Sequence, residues 1–170
     1  MTLITISIII ATIIYVAYNA IALANFGVPR SLSMTYYLWK DKCNKGYVFS
    51  LMMYAVVMCM MPAWITMSEG SDYQFLAFLA PASIAFVGGA PAFKKSELEN
   101  LVHQTSAYLA AAFSIAWIAL VTPYWWMILV WVAIVALLSI LTSTYKSAYI
   151  YWLETVAFGA TFSSTILYSL

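Results

Sequence analysis

Residues 96–121 read SELENLVHQTSAYLAAAFSIAWIALV, and this stretch decides the fold. Ser96 and Glu99 match the Ser-x-x-Glu capping box, in which each side chain hydrogen-bonds to a free backbone amide at the start of a helix. His103 and Gln104 follow one turn later, and the remainder is largely apolar. A transmembrane helix needs about 20 predominantly apolar residues. The stretch therefore predicts a transmembrane helix that begins with a polar cluster.

The composition of the whole chain points to the same environment. Of the 170 residues, 65% are hydrophobic and 8% are charged, whereas soluble domains carry roughly 25% charged residues. A soluble fold of this length would expose large apolar patches. We therefore expect an all-α integral membrane protein, located in the cell (inner) membrane, with the lipid bilayer as its main partner. The net charge of +1 gives no reason to expect nucleic acid as a partner.

Glycine and proline residues divide the chain into six long helices and one short helix. The short one, residues 31–39, cannot span a bilayer, and its mixture of aromatic and hydroxyl side chains is typical of a helix that lies among the lipid headgroups. No segment remains for a soluble domain, so residues 1–170 are expected to form one membrane domain, a six-helix bundle. The predicted transmembrane helices are residues 2–24, 47–67, 72–88, 97–121, 123–141 and 148–168.

The basic residues predict the orientation in the membrane. All seven fall in the first, third and fifth connections between the long helices, and the second connection instead carries Glu69 and Asp72. Because cytoplasmic loops carry the excess of Lys and Arg, we expect the odd-numbered connections in the cytoplasm and both termini outside. Aromatic residues at the opposite ends, Trp64 and Trp126 among them, are expected in the outer membrane interface. The basic residues are Arg30, Lys40, Lys42, Lys45, Lys94, Lys95 and Lys146.

Three polar side chains fall at similar depth near the predicted cytoplasmic face. At about 1.5 Å per helical residue, Glu154 lies about 10 Å into its helix, and His103 and Asn19 lie at a comparable level in theirs. Intramembrane ionisable groups mark ion and proton pathways by default. We take Glu154, His103 and Asn19 as the centre of a binding site for a ligand or proton, with Glu99 and Gln104 beside His103 as further candidates.

Each of these side chains also has a structural interpretation. Glu154 could hydrogen-bond to nearby tyrosines, His103 could be a satisfied interfacial histidine, and Asn19 could form an interhelical hydrogen bond. Small residues on two helices would permit close packing and would bring His103 towards Glu154. The same small faces are candidate surfaces for a second copy of the chain or a membrane partner. They are Ser106, Ala110 and Ser114 on one helix, and Ala157, Ala160 and Ser164 on the other.

Catalytic and metal chemistry finds less support. One histidine and two distant cysteines, Cys43 and Cys59, do not supply the three protein ligands of a catalytic zinc site. The run of methionines around Cys59 is typical of core packing, because consecutive helical positions point about 100° apart and cannot converge on one ion. We therefore expect no catalytic residue, no metal and no cofactor.

The sequence favours a membrane-embedded protein that binds or transports a small solute, a lipid or a proton through a polar pocket near the cytoplasmic leaflet. The alternative is a structural or interaction subunit of a membrane assembly. An intramembrane hydrolase is the third choice, because the sequence does not favour an enzyme. If the protein binds or transports a ligand, we expect replacement of Glu154 to abolish activity without loss of the fold.

Overall fold

A computed structural model describes residues 2–170, so residue 1 of the expected domain lies outside the described part. Across residues 2–170 the chain forms seven α-helices and no strand, and the predicted all-α class is confirmed. The helices are α1 (Leu3–Phe26), α2 (Thr35–Cys43), α3 (Tyr47–Met67), α4 (Leu76–Gly89), α5 (Glu97–Val121), α6 (Met127–Leu141) and α7 (Tyr149–Ser169).

Three helices, α1, α3 and α5, are long and apolar enough to cross a membrane by length and composition. Helices α4 and α6 are also apolar but shorter, with 14 and 15 residues. Helix α7 has 21 residues, and Glu154 and several hydroxyl side chains interrupt its apolar sequence. The structure thus has the helix lengths and surface chemistry of a membrane protein.

Three helices begin later than the sequence predicts, and hydroxyl side chains explain the difference. The Ser71 and Thr122 hydroxyls accept hydrogen bonds from the backbone N–H groups two residues on, at 3.2 Å in both cases. Ser31 accepts in the same way from the N–H three residues on. Such bonds offer the backbone a turn in place of a helix. The helices consequently begin at residues 35, 76 and 127, where the sequence predicted 31, 72 and 123.

Five helices pack side by side in a closed ring, in the order α1, α3, α4, α5, α7 and back to α1. Helix α6 packs on α7 outside this ring, and α2 packs across the start of α3. Two of these contacts are close because a glycine on one helix faces a large side chain on the next. A Cβ added to Gly88 on α4 would lie 2.9 Å from the Cβ of Met53 on α3. One added to Gly159 on α7 would lie 2.3 Å from the Trp131 ring on α6.

The connections that carry the basic residues meet at one end of the ring, which we call the basic end. The backbone N–H of Lys94, before α5, donates to the Tyr37 hydroxyl on α2 at 2.7 Å. The N–H of Tyr151, in the first turn of α7, donates to the carbonyl of Arg30 at 3.2 Å. Helix α2 and the segment before it therefore join the starts of α5 and α7.

A pair of stacked tryptophans closes the opposite end of the ring. The Trp64 and Trp117 rings are 4.3 Å apart between centroids and nearly parallel, at 4°. Trp117 Nε1 donates to Ser68 Oγ at 2.7 Å, and Trp64 Nε1 donates to Thr165 Oγ1 at 3.1 Å. Trp64 is 1% exposed, so its ring packs inside the bundle and does not face lipid, while its predicted depth at the outer interface stays a prediction. Its polar N–H finds a partner inside the ring, which removes the need for interfacial water.

Candidate functional site

Glu154 lies in the second turn of α7 and contacts the segment that precedes α2. Its Oε2 accepts a hydrogen bond from the backbone N–H of Leu32 at 2.6 Å. The side chain is half-buried, whereas Leu32 is buried at 1% exposure. Because Tyr151 N–H also donates to the Arg30 carbonyl, the segment both donates to and accepts from α7. Glu154 is thus held at a junction between helices.

Asn19 is buried on α1 and reaches α7 beside Glu154. Its Nδ2 donates to the carbonyl of Tyr15 at 2.9 Å, and its Oδ1 accepts from the Tyr151 hydroxyl at 3.2 Å. Tyr151 and Glu154 are three residues apart and so project from the same side of α7. The interhelical hydrogen bond considered for Asn19 is therefore present, and it brings Asn19 to the same corner as Glu154 without a direct bond between the two.

A second hydrogen-bonded chain links α1 to the start of α2 at this corner. Thr35 Oγ1 donates to the Leu32 carbonyl at 2.5 Å, and the Tyr18 hydroxyl lies 2.5 Å from Thr35 Oγ1. A hydroxyl carries a single proton, so Tyr18 is the donor to Thr35. Tyr18 and Thr35 are both buried. We call the whole group the Glu154 cluster, formed by Tyr18, Asn19, Leu32, Thr35, Tyr151 and Glu154.

His103 is buried in a different place, between α5 and the end of α4. Its Nδ1 lies 3.0 Å from the carbonyl oxygen of Ala90, and since a carbonyl can only accept, Nδ1 carries the proton. The imidazole stacks on the Phe93 ring at 4.7 Å between centroids and 23° between planes. Phe93 in turn makes an edge contact with Tyr37 on α2. The histidine thereby ties α5 to the α4–α5 connection.

The other two candidates on α5 lie nearer the surface. The N–H of Glu99 donates to Ser96 Oγ at 3.1 Å, which is the first half of the predicted capping box. The second half is absent from the described residues, where the buried Glu99 Oε2 has no hydrogen-bond partner. Gln104 is exposed, and its Nε2 donates to Asn100 Oδ1 at 3.0 Å. Neither side chain contacts the Glu154 cluster through a hydrogen bond.

The structure thus brings Glu154 and Asn19 to one corner and leaves His103 in another. Within residues 2–170 no hydrogen bond or ion pair joins His103 to Glu154, since each has its own partner. Helices α5 and α7 do pack together, but α5 packs more extensively on α4. The small faces of both helices are largely buried within the chain, with Ala110 at 9% exposure and Ser164 at 0%, and Ala157 alone of the six residues is half-buried. Most of both faces is therefore used within the chain itself, and a role for them towards a second copy or a partner stays a prediction.

Two of the clefts on the surface of residues 2–170 lie near the helices that carry the candidate residues. One, of about 340 Å³, is lined by residues of α2, the α2–α3 turn and the start of α3. The other, of about 410 Å³, is a mostly apolar groove between α6 and α7. Neither Glu154 nor His103 lines either cleft. Among residues 2–170, no group of three or more His, Cys, Asp and Glu side chains is arranged to hold a metal ion.

Sequence reasoning found Glu154 and Asn19 and placed tyrosines near Glu154, among them Tyr151, which bonds to Asn19 instead. It missed Tyr18, Leu32 and Thr35. The hydroxyl side chains of Tyr18 and Thr35 can be read from the sequence, whereas the Leu32 backbone N–H carries no sequence signal. Together the cluster offers one carboxylate among neutral donors, which suits the binding of a proton or a small cation.

Comparisons of the chain with known protein families, characterised proteins and solved structures find no match.

Proposed function

We propose that this is an integral membrane protein of the cell (inner) membrane whose six long helices cross the bilayer, with both termini outside. In this proposal it binds or moves a small solute, a lipid or a proton at the Glu154 cluster. The meeting of the basic connections at one end of the ring supports this topology, because cytoplasmic loops carry the excess of Lys and Arg. The cluster then lies in the cytoplasmic leaflet.

Of these three cargoes we choose the proton. The observation that carries the choice is the Glu154 carboxylate, which is half-buried on α7. It accepts a hydrogen bond from the neutral backbone N–H of Leu32. Carboxylates inside membrane helices are rare and mark proton relays and ion pathways.

In this function Glu154 takes up and releases the proton, and its neighbours hold it in position. Leu32 N–H orients one carboxylate oxygen. The Tyr151–Asn19 hydrogen bond sets the distance between α7 and α1 on the same side of the cluster. His103 is a separate group at the basic end, bound to Ala90, and takes no direct part in the exchange with Glu154.

Proton flux into liposomes tests the proposal. The purified protein is reconstituted into vesicles that contain a pH-sensitive dye, potassium and valinomycin clamp the membrane potential, and the outside is acidified. We expect faster acidification than in protein-free vesicles, and a return to the protein-free rate for Glu154→Gln. Glutamine still offers an oxygen to Leu32 N–H, so this variant should keep its fold.

Glu97→Gln is the matched control, because Glu97 is an exposed carboxylate in the first turn of α5, also at the basic end. It should conduct as the wild type does. Equal rates for wild type and Glu154→Gln, or a wild-type rate no higher than that of empty vesicles, would contradict proton transport.

One observation favours the second candidate, a structural or interaction subunit. The Glu154–Leu32 hydrogen bond ties the segment before α2 to α7, and a tether of this kind needs an acceptor but no charge. If the role of Glu154 is purely structural, Glu154→Gln leaves every property unchanged. The liposome experiment therefore distinguishes the two candidates.

A further inference from the structure

An open cleft of about 340 Å³ lies at the basic end, between α2, the start of α3 and Pro91 of the α4–α5 connection. Its volume falls in the range of about 300–1,000 Å³ typical of ligand sites. Each polar side chain that lines it can donate a hydrogen bond, and none is acidic. These side chains are Tyr36, Lys40, Asn44, Tyr47 and Ser50.

The backbone of the α2–α3 turn gives this cleft a defined wall. Asn44 adopts a left-handed conformation, with φ of 57°, and its N–H donates to the Lys40 carbonyl at 2.8 Å to end α2. Gly46 lies against Tyr36 so closely that an added Cβ would be 2.9 Å from both its ring and its carbonyl oxygen. The turn that carries the Asn44 amide is therefore held directly against α2.

Lys40 is the one cation among the lining residues, and its charge is uncompensated. Lys42 Nζ donates to Asn25 Oδ1 at 2.6 Å, and Lys94 Nζ lies 4.7 Å from the centre of the Tyr37 ring. Lys40 makes neither kind of contact within residues 2–170. Asp41 is adjacent in sequence but projects about 100° away around α2, and it is not among the lining residues.

We infer that this cleft binds the phosphate group of an anionic membrane lipid. Basic pockets beside membrane helices on the cytoplasmic side bind anionic headgroups. The Lys40 ammonium supplies the positive charge. The side-chain amide of Asn44 and the hydroxyls of Ser50 and Tyr47 supply neutral donors to phosphate oxygens. The inference depends on the proposed membrane topology and is independent of any role of Glu154.

The surface of α3 below the cleft favours a lipid over free phosphate as the source of this group. An exposed strip runs along α3 from the cleft, with spacings of four, three and four residues that keep it on one side of the helix. Such a strip would lie along the acyl chains of a lipid whose headgroup occupies the cleft. It consists of Tyr47 at 55% exposure, Leu51 at 58%, Tyr54 at 42% and Met58 at 74%.

Lipid binding to the detergent-solubilised protein tests the inference, with native mass spectrometry to count bound molecules. Phosphatidylglycerol is titrated against phosphatidylcholine of the same acyl chains. We expect one phosphatidylglycerol to bind more tightly than phosphatidylcholine, and Lys40→Ala to weaken it roughly fivefold, the typical effect of one lysine at a membrane surface. Ser50→Ala, which removes a neutral donor, should also weaken it.

Lys95→Ala is the control, since it removes the same charge from an exposed position at the same end that does not line the cleft. It should leave the first binding event unchanged. Equal losses for Lys40→Ala and Lys95→Ala, or equal affinity for the two lipids, would overturn the inference. A third arm adds inorganic phosphate alone. If millimolar phosphate displaces the bound lipid completely, the cleft is a site for the free anion and the lipid assignment fails.

Discussion

The Leu32 amide and the Glu154 carboxylate depend on each other. Leu32 is buried at 1% exposure, so water cannot take the place of the Oε2 acceptor 2.6 Å away. Buried backbone N–H groups without a partner are rare because they lose free energy comparable to a hydrogen bond. The carboxylate therefore has a structural role as an acceptor in addition to any role as a proton carrier, and two substitutions separate these roles.

Glu154→Leu should destabilise the protein more than Glu154→Gln does. Leucine leaves the Leu32 N–H buried without an acceptor, at a cost of about 1–3 kcal/mol, whereas the glutamine oxygen replaces the lost carboxylate oxygen. Thermal unfolding of both variants in the same detergent measures the difference. Equal melting temperatures for the two variants would show that the Leu32–Glu154 bond contributes nothing to stability.

Part of the site could be predicted from sequence at this scale. Glu154 is the one acidic residue within its predicted helix, and that alone singles it out. Its partner could not be predicted, because Leu32 contributes a backbone atom that every residue except proline has. His103 was also found from sequence, but its partner, the Ala90 carbonyl, is a backbone atom too. The expected proximity of His103 to Glu154 had no such local signal.

Among the elements, α6 is held mainly by its contact with α7. It lies outside the ring with α7 as its main partner, and only Val135 and Ser139 of its residues are buried. The Trp131 ring lies over Gly159, and its Nε1 donates to Ser163 Oγ at 2.9 Å. The absence of a side chain at Gly159 is what permits this approach.

Gly159→Ala should destabilise the α6–α7 contact. In an open helical position this substitution would stabilise the helix by about 1 kcal/mol. Here the new Cβ would lie 2.3 Å from the Trp131 ring, and overpacking of this kind costs about 1–3 kcal/mol. The melting temperature of the variant in detergent should fall.

The double variant with Trp131→Ala supplies the control. Once the ring is removed, Gly159→Ala should no longer be harmful, so the two substitutions should be strongly non-additive. A higher melting temperature for Gly159→Ala alone would show that α6 does not approach α7 as closely as the structure has it.

At the scale of the whole molecule, tertiary contacts bring the connections that carry the basic residues together at one end, which is the cytoplasmic end in the proposed topology. Tyr37 contacts Lys94, and Arg30 contacts Tyr151, so the three connections that carry the basic residues are neighbours in space. Glu69, in the second connection, follows the Ser68 that binds Trp117 at the other end. Separation of charge between two ends is the arrangement that the positive-inside rule requires.

Cysteine labelling tests the orientation. In a background with Cys43 and Cys59 replaced by serine, Lys95→Cys should react with a membrane-impermeant maleimide only after the cells are permeabilised. Glu69→Cys and Leu170→Cys should react in intact cells, since both positions are exposed and belong to the outer side in this proposal. Labelling of Lys95→Cys from outside intact cells would overturn the proposed orientation.

The sequence by itself determined the all-α class and the seven helical segments. Apolar runs are local features, and proline and glycine interrupt them at positions that can be read directly. It was less accurate for helix starts, which lie four residues later than expected at three places, because Ser31, Ser71 and Thr122 bond to nearby backbone and form turns. The same hydroxyls at a helix start would have served as caps, and the sequence cannot distinguish the two uses.

Only the tertiary structure decided which side of each helix faces inward. In helices that are apolar all round, no hydrophobic stripe identifies the buried face. Packing is then decided by shape, such as Gly88 against Met53, and by polar pairs that need a partner within the bundle. For this reason Trp64 lies inside the ring on Trp117, and Glu154 meets the Leu32 amide while His103 meets the Ala90 carbonyl.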